Sequence, residues 1–196
     1  NHKIYNNVIG NSSYSNLHVY SSTGSNSDNM QVYNNTIYSP ASNSWGIVMT
    51  GGLNYLIHDN IIQGAANHQL TFGYGTYSIS ESDYNNFGTA SFLITTHLYQ
   101  PNYATYSSLS AWQASTDIIG GLNPDTHSLS SNPLFQNVSG ALTQLDDFKL
   151  ASNSPSKGTG KEGVDMGADI AFVGITVSSP LVDTTPHSSP AGLIVQ

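Results

Sequence analysis

Three aspartates and one histidine are the residues whose types and spacing could do chemistry: Asp28, Asp59 and Asp83, with His58 next to Asp59. Asp28 lies in an inserted loop, and the other two lie in copies of a recurring phrase. Stacked on successive coils about 4.8 Å apart, such carboxylates would be separated by one or two coil spacings. Retaining and inverting glycosidases hold their two carboxyl groups about 5 and about 6.5–9.5 Å apart, respectively. His58 beside Asp59 suits general acid or base work, and Asp28 with Asp59 would suit Ca²⁺, which takes oxygen ligands. The plainer reading is that these are turn aspartates, at positions Asp tolerates as well as Asn does.

A second group could recognise a substrate. Tyr14, Tyr20, Trp45, Tyr74 and Tyr77 are rings of the kind that stack on sugars, and aromatic residues also fill solenoid cores. Trp45 and Tyr20, with an outward His18, form the candidate substrate-binding set. His18 and His68 lack a compact metal-ligand spacing, so they read as surface histidines. Lys3 with His2 is a possible base for β-elimination. Such a base needs a depressed pKa from burial or a neighbouring cation, which a terminal lysine seldom has. Asn11, Asn34 and Asn137 open Asn-x-Ser/Thr sequons.

The elements that must position these residues follow from one repeated phrase. It reads Ile4-Tyr5-Asn6-Asn7-Val8-Ile9, then Val32-Tyr33-Asn34-Asn35-Thr36-Ile37, then Ile57-His58-Asp59-Asn60-Ile61-Ile62, at offsets of 28 and 25 residues. A period between about 20 and 50 residues signals a solenoid or another array. Asn7, Asn35 and Asn60 would stack at an inward turn and hydrogen-bond as a ladder. Second runs, Leu17-His18-Val19-Tyr20 and Ile47-Val48-Met49, align Leu17 with Ile47 and Val19 with Met49. Alternation then turns His18 and Val48 outward. A fourth copy is expected at Asp83-Tyr84-Asn85-Asn86-Phe87, its register open by one residue.

Composition narrows the function classes. Charged residues make up 8% of the chain and the formal net charge is −8, with four Lys and no Arg. A nucleic-acid backbone needs a basic stripe, which is absent, so nucleic-acid binding is not expected. Anionic membrane surfaces are disfavoured for the same reason. No apolar run approaches the roughly 20 residues that span a bilayer. The chain has no Cys, so stability must come from stacking rather than cross-links.

Residues 1–87 are read as solenoid coils, 88–174 as an excursion and closing region, and 175–196 as a Ser/Thr/Pro-rich tail. A helix is predicted over Ser107–Gln113 with Ser107 or Ser108 as N-cap, and a strand over Asp147-Phe148-Lys149-Leu150. Trp112 is read as structural. The opening residues already belong to the phrase. The sequence is therefore expected to start inside a longer solenoid or after a removed segment, leaving an open coil for end-to-end self-association.

Together these residues resemble the right-handed parallel β-helix repeat proteins of the pectate-lyase-like superfamily. The closing stretches carry most of the likeness to secreted bacterial members: Asp83–Phe87, Ser108-Leu109, Trp112-Gln113, His127-Ser128-Leu129, Asn132–Phe135, Asp147–Leu150, Ser154-Pro155 and Asp165–Ile170. The resemblance implies an all-β parallel solenoid, a secreted or cell-surface location, and action on or binding to polysaccharide. Lyase members use a Lys or Arg base, often with Ca²⁺, and hydrolase members use grouped Asp. Two functions are expected on this basis. One is a lyase- or glycosidase-like carbohydrate-active protein using Asp28, Asp59, Asp83 and His58. The other is a non-catalytic structural or polysaccharide-binding, surface-attachment module.

Overall fold

The computed structural model describes residues 2–10, 12–20, 28–39, 44–65, 67–89, 93–98, 100–116, 123–137 and 144–173, and only the backbone of 74–76. The strands are, in chain order, β1 (Lys3–Tyr5), β2 (Val8–Gly10), β3 (Ser15–Tyr20), β4 (Gln31–Tyr33), β5 (Thr36–Tyr38), β6 (Trp45–His58), β7 (Ile61–Gln63), β8 (His68–Asp83), β9 (Ile94–Leu98) and β10 (Ala104–Tyr106). They stack into a β-solenoid of about three turns. The larger sheet runs β1-β4-β6-β8-β9-β10, with β3 also on β6, and a second sheet runs β2-β5-β7. All pairings are parallel except β9 with β10. The long strands β6 and β8 change register between Thr50 and Leu56, where Gly51 and Gly52 adopt positive φ. One continuous strand thereby covers both runs that the sequence suggested as separate.

The repeated phrase makes one corner of each coil. Its third residue enters the left-handed region, at Asn6 (φ 54), Asn34 (φ 51), Asp59 (φ 56) and Tyr84 (φ 56). Asn and Asp visit that region readily because their short side chains bond locally. Tyr84 does not fit that explanation; its ring stacks on His127 at 4.7 Å and 6°. The next residue forms the ladder. Asn7 Nδ2 donates to Asn35 Oδ1, Asn35 Nδ2 to Asn60 Oδ1, and Asn60 Nδ2 to Asn85 Oδ1, each at 3.0 Å. Each acceptor oxygen also takes the backbone N–H of the preceding Asn, at 3.1–3.2 Å.

The ladder also settles the fourth copy. Asp83 pairs with His58 and Ser82 with Ile57, so Asn85 is the residue in line with Asn60. Ser82 thus occupies an apolar column, where its hydroxyl donates to Asp125 Oδ2 at 2.6 Å.

Inward positions fill the core: Val32, Ile37, Ile47, Met49, Ile57, Ile62, Leu70, Phe72, Phe87 and Ile94 are fully buried. Leu17 pairs with Ile47 and Val19 with Met49, as the alternation requires. Burying each such side chain favours folding by about 1.5–3 kcal/mol. In the first coil, Ile4, Ile9 and Leu17 are only partly buried.

The closing region covers two faces. Helix α1 (Leu109–Gln113) starts at Ser108, whose side chain accepts from Ala111 N. It packs the fully buried Trp112 against Phe72. Further on, Phe135, Phe148 and Met166 pack on Ile61, over the outer side of the second sheet. The strand expected at Asp147–Leu150 is instead a 3-10 turn over Leu145–Phe148. Asp147 Oδ2 accepts the Gln144 N–H at 2.9 Å, and that capping contact closes the turn before an extended run can start. Residues 174–196, which include all of the tail expected over 175–196, lie outside the described residues.

Candidate functional site

Each ring of the phrase follows an inward residue, so the rings project outward and stack coil on coil. Tyr5 and Tyr33 lie 5.1 Å apart and 3° from parallel, and Tyr33 and His58 lie 5.2 Å apart at 11°. Lys3 Nζ stands 6.0 Å from the centre of the Tyr33 ring. Asp83 takes the same column one coil on, beside His58. A single outer column therefore changes from aromatic to ionic along the solenoid.

At the aromatic end the closing region folds back and leaves a groove of about 720 Å³. Tyr5, Asn6 and Asn34 form its solenoid wall, and Lys149, Lys157, Val164, Asp165, Asp169 and Phe172 line the other side. Contacts between the walls are polar. Asn34 Nδ2 donates to Asp165 O at 3.2 Å, and Asn6 Oδ1 accepts the Asp169 N–H at 2.6 Å. Gly167 N donates to Asp59 O at 2.7 Å. Gly167 sits at φ +88, and a Cβ there would lie 2.7 Å from Ile61 Cδ1, so the close approach of the walls needs glycine. Tyr5 and Phe172 remain 53% and 64% exposed, which leaves two rings open to a ligand.

At the ionic end, side chains from three segments meet. Asp59 is buried, with Oδ2 against His58 Nδ1 at 2.7 Å and Oδ1 accepting the Lys161 N–H at 2.6 Å. Lys161 Nζ donates to both Glu81 oxygens at 2.6 and 2.7 Å. These bonds to Glu81 raise the pKa of the ammonium. A lysine held protonated in this way is no base for β-elimination. Asp83 Oδ1 accepts the backbone N–H groups of Tyr84 and His127, and Asp83 Oδ2 lies 2.7 Å from His127 Nδ1. His127 stays exposed, its ring fixed by Asp83 and Tyr84.

The structure therefore brings together His58, Asp59 and Asp83, but not as a bare carboxylate set. Asp59 lies under the 160–161 backbone rather than facing an outer groove: its Oδ1 accepts the Lys161 N–H and sits against Gly160. Asp28 is apart from both. It precedes β4, and its Oδ1 accepts the Leu53 N–H at 2.8 Å, six residues upstream of the Asp59 position in the coil. Asp28 and Asp59 consequently do not form a shared Ca²⁺ site. Among the described residues no group of three or more His, Asp or Glu is arranged to hold a metal ion.

The expected substrate-binding set is divided as well. His18 and Tyr20 are exposed on β3, with their rings edge to face at 5.9 Å. Trp45 is 9% exposed, covered by Tyr14 at 5.6 Å and His68 at 4.8 Å, so it offers no open platform. His68, read from the sequence as a surface histidine, is instead buried against Trp45, and that burial lowers its pKa. His18 is exposed, and partial desolvation on β3 lowers its pKa as well. Tyr77 is a core residue stacked on Phe72, and the side chain of Tyr74 lies outside the described residues. None of these lines the groove. The rings that do are Tyr5 and Phe172; of these, Tyr5 was signalled in the sequence by its fixed place in the phrase.

One buried carboxylate was not foreseen. Asp125 is fully buried and ends the ladder. Its Oδ1 accepts from Asn85 Nδ2 and Ser128 Oγ, and its Oδ2 from Ser82 Oγ and Trp112 Nε1. Burial pushes its pKa up, and the four hydrogen bonds hold that rise back.

Comparison with known proteins finds no matching family model, no matching curated protein and no matching solved structure. The class that fold and site define is accordingly a β-solenoid with an outer ring column and a groove beside it.

Proposed function

We propose that this chain is a polysaccharide-binding β-solenoid of the pectate-lyase-like kind, working outside the cell and holding glycan in the groove beside the Tyr5–Tyr33 column. The observation that carries the reading is the make-up of that groove: an exposed tyrosine and phenylalanine facing amides within one cleft of about 720 Å³. Sugars present apolar C–H faces to rings and hydroxyls to amides, and clefts of about 300–1,000 Å³ are the size that holds a small-molecule ligand, here a few sugar units of a longer chain. The outer column runs along the solenoid axis, so an extended chain can follow it.

Binding is favoured over turnover because Asp59 and Asp83 spend their oxygens on protein N–H groups and histidines. A hydrolytic reading draws on the Asp83–His127 pair, in which the carboxylate orients the imidazole and leaves Nε2 for proton exchange. Affinity electrophoresis through gels cast with a panel of polysaccharides tests both. Retardation on at least one polymer, lost in Tyr5→Ala and without release of reducing ends, is expected. Full mobility on every polymer refutes the binding reading, and reducing ends abolished by His127→Ala establish the hydrolytic one.

A further inference from the structure

We infer that the groove selects neutral rather than uronic polysaccharides, an inference that rests on the glycan-binding reading above. The lining residues carry two lysines, Lys149 and Lys157, against two aspartates, Asp165 and Asp169, so the groove is formally neutral. Neither lysine stands alone. Lys157 Nζ lies 2.9 Å from Asp165 Oδ2, and Lys149 Nζ lies 2.8 Å from Asp146 Oδ1. Asp165 is further fixed by accepting the Gly158 N–H at 2.8 Å. Lys3, the next cation along the column, faces the Tyr33 ring.

A uronic polymer would meet this arrangement at a disadvantage. Its carboxylates would have to displace Asp165 or Asp146 to reach an ammonium group. It would also approach a chain of formal net charge −8 that has no Arg to grip a carboxylate with paired N–H groups. A neutral polymer needs neither exchange. It uses the ring faces of Tyr5 and Phe172, and its hydroxyls can meet Asn6 and Asn34, whose Nδ2 and Oδ1 respectively lie outside the bonds that join the groove walls.

Asp165→Asn provides the test. The amide oxygen can still accept the Gly158 N–H, so the turn is kept, while Lys157 loses its counter-charge. Retardation is measured for the parent and the variant on xylan, glucomannan and β-glucan, and on polygalacturonate and alginate, at low salt and at about 0.5 M NaCl, where screening extends only a few ångströms. The parent should be retarded by a neutral polymer equally at both salt concentrations and should pass the uronic gels. Asp165→Asn should gain uronic binding of about threefold or more at low salt. Retardation of the parent by uronic polymers alone overturns the selectivity and leaves the glycan-binding reading intact. Passage through every gel overturns both.

Discussion

Replacing Asp125 by Asn should cost the fold far more than an isosteric change suggests. Each carboxylate oxygen faces one donor that cannot act as an acceptor: Asn85 Nδ2 at 3.0 Å on Oδ1 and Trp112 Nε1 at 2.7 Å on Oδ2. Each also faces a serine hydroxyl at 2.6 Å, which can turn to accept. A carboxylic acid can therefore protonate and donate to a serine, whereas a carboxamide must turn its NH2 toward one of the two obligate donors. That leaves two buried donors opposed and unmatched. At about 1–3 kcal/mol for each unsatisfied buried group, the loss is about 2–6 kcal/mol. The site also sets a pH dependence. Burial raises the folded pKa above the ordinary 3.8. The stabilisation is thus fully present below the unfolded pKa and is lost as pH rises through the folded one. The deficit of Asp125→Asn should accordingly be largest in acid and shrink as pH rises. Urea unfolding followed by Trp fluorescence at a series of pH values measures it. A variant within about 0.5 kcal/mol of the parent at every pH would refute the reasoning.

Other positions give sharper contrasts. Asn60→Ala removes amide bonds to Val32 O, His58 O and Asn85 and the acceptor for Asn35, a loss of about 2–5 kcal/mol, whereas Asn7→Ala at the half-exposed end should cost about 1; urea midpoints compare the two. Gly167→Ala puts a methyl against Ile61 and Thr36 at φ +88 and should destabilise by about 1–3 kcal/mol while opening the groove wall, seen as a lower Tm and weaker glycan retention. His68 is buried against Trp45 with Nδ1 unpartnered, and its folded pKa is lowered from 6.5. Its stabilisation is therefore present above the unfolded pKa and lost as pH falls through the lowered folded one. Tm should drop on moving from neutral pH to below the folded pKa in the parent and drop less in His68→Phe.

The coil was legible in the sequence because its physics is local. The Ile-Tyr-Asn-Asn phrase names the inward residue, the outward ring, the left-handed corner and the ladder amide in four consecutive positions. The same alternation placed Leu17 over Ile47. The functional surface was less legible because it depends on which distant segment covers which face. Nothing near Asp59 announces that Lys161, about a hundred residues on, will donate to it. Nothing near Tyr5 announces that Asp165 and Phe172 will form the opposite wall. Asp125 was missed for a similar reason: its donors come from a strand, the ladder, a helix and its own turn, and only the fold collects them. The fourth corner carries its own mismatch, since Ser82 stands in an apolar column and makes sense only once Asp125 is opposite it.

The most direct test of the central claim is an NMR titration of the ¹⁵N-labelled protein with a neutral oligosaccharide retained in the gel panel. The account predicts shifts grouped at Tyr5, Asn6, Asn34, Gly167, Ala168 and Phe172, on both walls of the groove, with His18 and Tyr20 on β3 unmoved. Shifts centred on β3, or none at saturating oligosaccharide, would contradict it.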